Sequence, residues 1–484
     1  MNFWKDKERR RNFIRNAAVV LLLLLAAFLS FSVFRAQNIK SDDFSYFLSG
    51  AGVESVFENP SDVDDENITK AFWEYTSPEY IVVNREGNRD IAYSSTDSYK
   101  ILAPPSMEIV RGMYANVTKE KVIENPEEWK NMLSVNSVLL HFPAEISPIF
   151  PMQFLGVDQS PITDHINSYS DILVVTGMPD QKTAIIYIKE AETEKIIRFE
   201  TTLETKSLNR AINLLKNVSD KNYAFGYELR LDGYHGNSTR INSMLTIPLV
   251  NIATTDMKSE VPRQFLSKLG EVGQNELSNN VLGIFGFDPR TARSYADKNE
   301  TRILLDGPRK IALSRDGIIK FSTDSAENGI DISGGTVQTR SNSLYVAISG
   351  TVKTVLGMFE ITGTDIKNAD YEIKLTNMSA SEDMQSEINL SFDYYINGLV
   401  MEYVDYPDSH AIEAVISDGK LIYFKMELKN FVKTKETTLN EPMFDAIDRY
   451  CSRISGGNIY IRDSYLYYGY KQNNEKMTTK WKVR

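Results

Sequence analysis

The stretch EINLSFDYYINGLVMEY, from Glu387 to Tyr403, indicates most directly how this chain folds. Two runs rich in β-branched and aromatic residues are joined by Asn397-Gly398. An Asn-Gly pair readily adopts the positive φ angles that a two-residue hairpin turn requires. The stretch therefore predicts a β-hairpin in the C-terminal part of the chain.

The same strand-turn-strand pattern recurs elsewhere. Asp-Gly pairs join apolar runs at Asp316-Gly317 and Asp418-Gly419, and the runs EYIVVNR and RDIAYSS flank a short turn near residue 87. The runs DILVVTG, KTAIIYIKE and EKIIRFETT follow one another as a predicted meander. These patterns predict twisted antiparallel sheets.

Segments whose apolar residues have helical spacing lie between the predicted strands at several places. The segment from Ser207 to Val218 places Leu208, Ile212 and Leu215 on one side. Pro104 and Pro105 are expected to break any strand, and the segment that follows is expected to start a helix with Ser106 as its N-cap. Sheets backed by one or two helices each give an α+β fold class.

The chain of 484 residues is too long for one ordinary hydrophobic core. The pattern of elements predicts an N-terminal α+β region over residues 35–255, a middle α+β domain over 256–360 and a C-terminal α+β domain over 361–484. About three domains are therefore expected after the N-terminal segment.

The N-terminal segment contains AAVVLLLLLAAFLSFSVF, an uncharged run from Ala17 to Phe34. Its length suffices for a helix to cross a bilayer, whereas the apolar region of a cleaved signal peptide is shorter. Bulky Phe31 and Phe34 stand where a signal peptidase requires small residues. Residues 17–34 are therefore predicted to be an uncleaved transmembrane helix.

Basic residues set the predicted orientation. Six Lys and Arg side chains between Lys5 and Arg15 precede the apolar run, and few follow it. Since cytoplasmic flanks carry the excess of positive charge, residues 1–16 are expected inside and the remainder outside the cell membrane. No second apolar run of comparable length is evident, so a single-pass protein is expected.

Charge and cysteine content narrow the class of protein. The formal net charge is −11 although the N-terminal tail is basic, which argues against a nucleic-acid partner and against docking on an anionic membrane surface. Cys451 is the only cysteine, so no intramolecular disulfide can form. A cysteine-poor exported chain is typical of Gram-positive bacteria.

Motifs for catalysis are not evident. The four histidines, His141, His165, His235 and His410, lack the spacing of metal ligands, and His141 is predicted to be a core or interface residue. The sequence contains no G-x-S-x-G elbow, P-loop or G-x-G-x-x-G motif. A non-enzymatic protein without cofactor or metal is therefore expected.

Three features together resemble the YycH family of membrane-anchored regulators. They are the basic tail with one span, the segment GIFGFDPRTARSYADKNETRILLDGPRKIALSRDGIIKFST from Gly283 to Thr323, and the closing hairpins around Asn397-Gly398 and Asp418-Gly419. The resemblance implies three extracytoplasmic α+β domains. It also implies binding to the sensor histidine kinase of a WalK–WalR (YycG–YycF) type two-component system, together with a YycI-type companion regulator.

The predicted transmembrane helix offers one candidate contact for such a partner. Ala26 and Ser30 form a small-xxx-small pair, which lets two helix backbones approach closely in lipid, and Ala27 broadens the same surface. The plainer interpretation is that Ala and Ser are merely tolerated in an anchor.

Three functions follow from these observations. The first is a tethered regulator that modulates a kinase controlling cell-wall homeostasis. The second is a surface module that binds a cell-wall polymer, and the third is an extracytoplasmic hydrolase with an unrecognised site. The regulator is the favoured hypothesis because the resemblance to the YycH family implies it, whereas the acidic exterior disfavours binding to the phosphates of teichoic acid.

Overall fold

A computed structural model gives the fold of the chain. The structure describes residues 73–484 except 86–87, 178–181, 192, 194, 216–222, 230, 232–238, 243, 333–342, 365–370, 382–386, 455–458 and 472–473. All described residues belong to one compact unit, 58–484. The predicted cytoplasmic tail and transmembrane helix, with Ala26, Ala27 and Ser30, lie outside the described residues.

An antiparallel sheet of seven strands, here called the N-terminal sheet, comes first. Its strands are β1 (Tyr80–Arg85), β2 (Asn88–Tyr93), β3 (Val117–Ile123), β4 (Ser137–Ile146), β5 (Tyr169–Val175), β6 (Thr183–Glu190) and β7 (Ile196–Glu204). They lie in the order β2-β1-β4-β5-β6-β7-β3. The predicted hairpin β1–β2 and the meander β5–β6–β7 are confirmed.

Helices cover both faces of the N-terminal sheet. They are α1 (Asp97–Asn116), α2 (Pro126–Met132), α3 (Ile149–Leu155) and α4 (Lys206–Leu214). Helix α1 packs on α4 and β7. On the opposite face, Trp129 and Leu133 pack with Leu139 and Leu173 in one buried cluster.

Helix α1 starts earlier than the sequence predicts. It begins at Asp97, where the side chain of Thr96 accepts a hydrogen bond from the N–H of Tyr99 at 3.3 Å, and it continues through Pro104 and Pro105. The prediction of a helix start at Ser106 is therefore wrong. A proline inside a helix removes one backbone hydrogen bond, and burial of this part of α1 against the sheet outweighs that loss.

The strands that follow form a larger sheet and two short pairs. They are β8 (Tyr223–Phe225), β9 (Thr239–Ile241), β10 (Thr246–Pro248), β11 (Ala253–Glu260), β12 (Arg293–Ala296), β13 (Arg302–Asp306), β14 (Arg309–Leu313), β15 (Ile318–Ser322), β16 (Ile330–Asp331), β17 (Tyr371–Ala380), β18 (Ile388–Ile396), β19 (Leu399–Tyr403), β20 (Ile412–Ser417), β21 (Lys420–Glu427), β22 (Asn430–Leu439), β23 (Ile459–Ile461), β24 (Ser464–Lys471) and β25 (Asn474–Val483).

The larger sheet, here called the C-terminal sheet, has 14 strands among the described residues. Twelve follow the order β12-β13-β14-β15-β21-β20-β18-β19-β24-β25-β11-β22, while β16 pairs with β21 and β17 with β18. Its described pairs are antiparallel except β19–β24. The two short pairs are β8–β10, which is antiparallel, and β9–β23, which is parallel.

Strands from the predicted middle and C-terminal domains share the C-terminal sheet. Strand β15 pairs with β21, so that Phe321 lies opposite Phe424. The α+β class with antiparallel sheets and packed helices is confirmed. The domain boundaries at 255 and 360 stay a prediction.

Three helices pack with the C-terminal sheet: α5 (Glu271–Ile284), α6 (Ser343–Ile361) and α7 (Met443–Arg453). Among the described residues, α6 is the one helix that is long and apolar enough to cross a membrane, judged by length and composition alone. However, 67% of its most apolar stretch is buried within the fold. It contacts α3, α5 and β18. The sequence therefore does contain a second apolar run of comparable length, contrary to expectation, and the fold buries it as a core helix.

The Asn397-Gly398 turn joins β18 to β19 as predicted, with φ angles of 51° and 79°. This turn also touches the N-terminal sheet. A Cβ atom on Gly398 would lie 2.9 Å from the Cβ of Tyr93 and 3.4 Å from the backbone nitrogen of Ser94. Glycine is required here both by the backbone conformation and by the approach of the two sheets.

We expect Gly398→Ala to lower the free energy of unfolding by about 2–4 kcal/mol, because the strain of a positive φ angle and the steric cost of the added Cβ atom both destabilise the fold. Gly307 is a matched control, since its φ is 59° and a Cβ atom there would have no neighbour within 4 Å. Gly307→Ala should cost only about 1 kcal/mol. Thermal unfolding of the full-length chain in detergent measures both, and equal losses would contradict a tight contact at Gly398.

Candidate functional site

A groove of about 660 Å³ lies between the N-terminal and C-terminal sheets. The end of the N-terminal sheet near Tyr80, Tyr93 and His141 forms one wall, and residues of β18, β19 and β24 form much of the other. Aromatic rings and ionisable side chains dominate the lining. Its volume falls within the range of small-molecule sites.

A row of rings forms the wall from the N-terminal sheet. Strand pairing places Tyr80 opposite both Tyr93 on β2 and His141 on β4. The ring centroids of Tyr80 and His141 are 4.6 Å apart with an 18° angle between the planes, and those of Tyr80 and Tyr93 are 5.9 Å apart. The register of three neighbouring strands therefore builds this wall.

His141 is fixed by an acidic partner on the next strand. Its Nδ1 lies 2.8 Å from Oδ1 of Asp171, which the β4–β5 register places directly opposite. Burial lowers the pKa of His141, but the charge and hydrogen bond of Asp171 outweigh it and raise the pKa to about 9. His141 therefore carries a positive charge at neutral pH.

Glu79 lies beside this pair, just before β1. Its backbone N–H donates to the carbonyl of His141 at 2.7 Å, and the residue is only 9% exposed. Burial raises the pKa of the carboxyl group to about 7, while the positive charge of His141 acts in the opposite direction. Glu79 is thus a buried acid on the groove wall that titrates near neutral pH.

A second His–Asp pair lies on the wall from the C-terminal sheet. Nδ1 of His410 is 2.7 Å from Oδ2 of Asp393, and the hydroxyl of Thr376 donates to the same oxygen at 2.6 Å. The backbone N–H of Ala411 donates to Oδ1 at 2.9 Å. Burial lowers the pKa of His410, but its hydrogen bond to Asp393 outweighs this effect and raises it.

Glu402 is the centre of a third charged cluster. Nζ of Lys482 lies 2.6 Å from one carboxylate oxygen, and the hydroxyl of Tyr465 donates to the other at 2.6 Å. The guanidinium of Arg484 is 3.3 Å from Glu402 and lies over the Tyr465 ring, 4.9 Å from its centroid. Neighbouring strands β19, β24 and β25 supply most of this network.

Lys374 on β17 ties the two walls together. Its Nζ donates to the carbonyl of Pro78 at 2.8 Å and to Oγ of Ser77 at 3.0 Å, and the residue is 1% exposed. A buried ammonium is stable only when such acceptors replace its water. The bonds fix the segment that precedes Glu79.

The described groove residues do not show the geometry of a nucleophile–histidine–acid triad. Thr376 Oγ1 lies 3.4 Å from His410, but at Nδ1, the nitrogen already bonded to Asp393, whereas a triad histidine uses its other nitrogen toward the nucleophile. His141 is held protonated and cannot act as a base at neutral pH. Within the described ranges, no group of three or more His, Cys, Asp or Glu side chains could hold a metal ion.

Most of this site is not evident from the sequence. His141, expected at a core or interface position, is half-buried on the groove wall. No motif singles out Glu79, Asp393 or Asp463, a further acid that lines the groove. An acid within the apolar run LSFDYYI is the available signal for Asp393, because a charge inside a buried strand needs a partner.

Comparison with known proteins supports the fold. No protein-family model matches the sequence, and no curated protein sequence does. Among solved structures, the crystal structure of YycH from Bacillus subtilis aligns with a TM-score of 0.53 and 13% sequence identity, covering 85% of this chain and 94% of that one. The chain therefore has a YycH-like fold.

A second solved structure is an uncharacterized protein from Eubacterium rectale. It aligns with a TM-score of 0.33 and 10% identity, over 51% of this chain and 82% of that one. A score this low carries no argument about fold or function.

We expect His141 to titrate with a pKa of about 9 in the folded chain, and Asp171→Asn to lower that pKa by at least about one unit because the ion pair is lost. Asp393→Asn is the matched control, since it should lower the pKa of His410 and leave His141 unchanged. NMR titration of ¹⁵N-histidine, assigned with His141→Gln, measures both groups.

The same pair sets the sign of a stability effect. Because the pKa of His141 is raised from 6.5, its contribution to stability is fully present below pH 6.5 and is lost as pH rises through about 9. At pH values above the ordinary pKa of aspartate, the unfolding temperature of wild type should therefore exceed that of Asp171→Asn, and the difference should be largest at about pH 6. A gap that widened toward higher pH would contradict a charged His141.

Proposed function

We propose that this chain is a non-catalytic, membrane-anchored regulator that binds the sensor histidine kinase of a cell-wall two-component system of the WalK–WalR type. The observation that carries this proposal is the YycH-like fold, which extends over 85% of the chain. The sequence resemblance to the same family also supports it, because the basic tail and the apolar run of residues 17–34 lie outside the described fold.

The predicted anchor supplies the means of contact. In this proposal, residues 17–34 cross the membrane with the N-terminus inside, and Ala26, Ala27 and Ser30 face a helix of the kinase or of a YycI-type companion. Small residues allow close backbone approach, and a hydrogen bond between helices in lipid, such as the Ser30 hydroxyl could form, contributes about 1 kcal/mol. A difference of a few kcal/mol between two kinase states would suffice to shift their populations.

A wall-polymer-binding module is the alternative function. The groove between the sheets favours this alternative over a hydrolase, because it presents aromatic rings and hydrogen-bonding side chains without a nucleophile-base pair among its described residues. In that case the exterior would sediment with purified peptidoglycan, and no kinase would be recovered with the chain.

We expect full-length protein captured from membranes to carry the sensor kinase with it. The double variant Ala26→Leu with Ser30→Leu should recover roughly threefold to tenfold less kinase, because larger side chains separate the helices. Leu21→Phe is the control, since residue 21 lies on the opposite side of the predicted helix. Quantitative mass spectrometry of the captured material gives the ratio.

Two outcomes would count against this proposal. Replacement of residues 17–34 by an unrelated span without loss of kinase would exclude the helix contact. Recovery of no kinase with the wild-type chain would exclude the regulator altogether.

A further inference from the structure

Among the described residues, the Glu79 carboxyl group has no hydrogen-bond or ion-pair partner for its side chain. It is 9% exposed and lines the groove, yet within the described part of the chain it takes part in no side-chain hydrogen bond or ion pair. Buried carboxylates are normally satisfied by donors or cations. An unpartnered acid on the wall of a cavity therefore points to a ligand that supplies the missing cation.

The positive groups that face Glu79 are engaged elsewhere. They are His141, Lys374 and Arg484. His141 bonds to Asp171, Lys374 to Ser77 and Pro78, and Arg484 to Glu402. Each is close enough to act on Glu79 electrostatically, but within the described residues none forms an ion pair with it.

Asp463 adds a second negative charge to the same volume. It lines the groove, and its Oδ1 accepts a hydrogen bond from the backbone N–H of Ser464 at 2.8 Å. Its charge acts on Glu79 in the direction that disfavours ionisation. Two ionised carboxyl groups that line one cavity repel each other, and a cation bound between them stabilises the ionised form of both.

The remaining lining suits the uncharged part of such a ligand. The rings of Tyr80 and Tyr93 stand side by side on the adjacent wall, and Tyr223 extends the lining. Aromatic faces attract cations and pack against alkyl chains. A volume of about 660 Å³ accommodates a short stem together with its charged end.

We propose that this groove binds a small ligand that carries a protonated amine on an apolar stem, with the amine received by Glu79 and Asp463. The inference goes beyond the proposed function and does not depend on it, since it concerns a ligand of the groove and not a partner of the anchor. Two sources supply this shared chemistry, a free alkyl amine and a lysine-bearing peptide.

The test is calorimetric titration of the full-length chain in detergent at about pH 8, where an acid with a pKa near 7 is mostly ionised. The probes are cadaverine, N-acetyl-Ala-Lys-Ala amide and the analogue of that peptide with norleucine in place of lysine. We expect at least one cationic probe to bind and the norleucine peptide to bind at least about tenfold more weakly, because it lacks the charge-assisted contacts. Cadaverine alone indicates a free amine as ligand, and the lysyl peptide alone indicates a peptide.

Glu79→Gln keeps the shape of the side chain and removes its charge. This variant should weaken binding of the cationic probe by about tenfold or more. Glu276→Gln is the matched control, because Glu276 is an exposed acid on α5 away from the groove lining, and the affinity of this variant should equal that of wild type. A cooperative unfolding transition in each variant would establish that both are folded.

The pH dependence gives a second readout. Since Glu79 has a pKa of about 7, its ionised fraction and hence the affinity of wild type should rise by about tenfold from about pH 6 to about pH 8. Over this range His141 stays protonated, Lys374 keeps its charge because its pKa is raised, and Arg484 and Asp463 are the other charged groups that face Glu79. Glu79→Gln should show a flat profile.

Three results would overturn the proposal. They are no heat from either cationic probe at millimolar concentration, equal affinity for the lysine and norleucine peptides, and equal affinity of wild type and Glu79→Gln. None of these results bears on whether the chain binds a kinase, so the two proposals fail separately.

Discussion

The junction between the two sheets is the constraint on which the rest of this structure depends. Lys374, almost wholly inaccessible on β17, donates to Ser77 and Pro78 just before β1. The turn at Gly398 packs so closely against the N-terminal sheet that a Cβ atom on Gly398 would lie only 2.9 Å from the Cβ of Tyr93. A buried ammonium that lost its acceptors would carry a large desolvation cost. The contact therefore fixes the two walls of the groove relative to each other.

The charged side chains of the groove are arranged by the strands and loops that meet at this junction. Strand register pairs His141 with Asp171, and the loop after β19 brings His410 to Asp393. These cations are satisfied by acids, which leaves Glu79, among the described residues, as an acid without a partner on the wall. No family model matches this chain, so the ligand of the groove is inferred from the charges on its walls. The similarity to YycH of Bacillus subtilis supports the architecture alone.

Local features of the fold could be predicted from the sequence, and non-local ones could not. The turns at Asn397-Gly398 and Asp418-Gly419 follow from residues that favour positive φ. The course of α1 through Pro104 and Pro105 is not predicted because burial, a tertiary effect, outweighs local preference. The groove is not predicted either, because Glu79 and Asp463 are far apart in the sequence and only the fold places both on the groove lining.

The predicted partner contact at Ala26 and Ser30 concerns a helix outside the described residues, so it rests on the sequence. In the proposed function, this chain changes the activity of a sensor kinase and catalyses no reaction itself. The most direct measurement is the autophosphorylation rate of the purified kinase in nanodiscs, with and without the full-length chain. The predicted result is a rate that changes and saturates as the chain is added. An unchanged rate at saturating chain, with both proteins in the same discs, would contradict the claim.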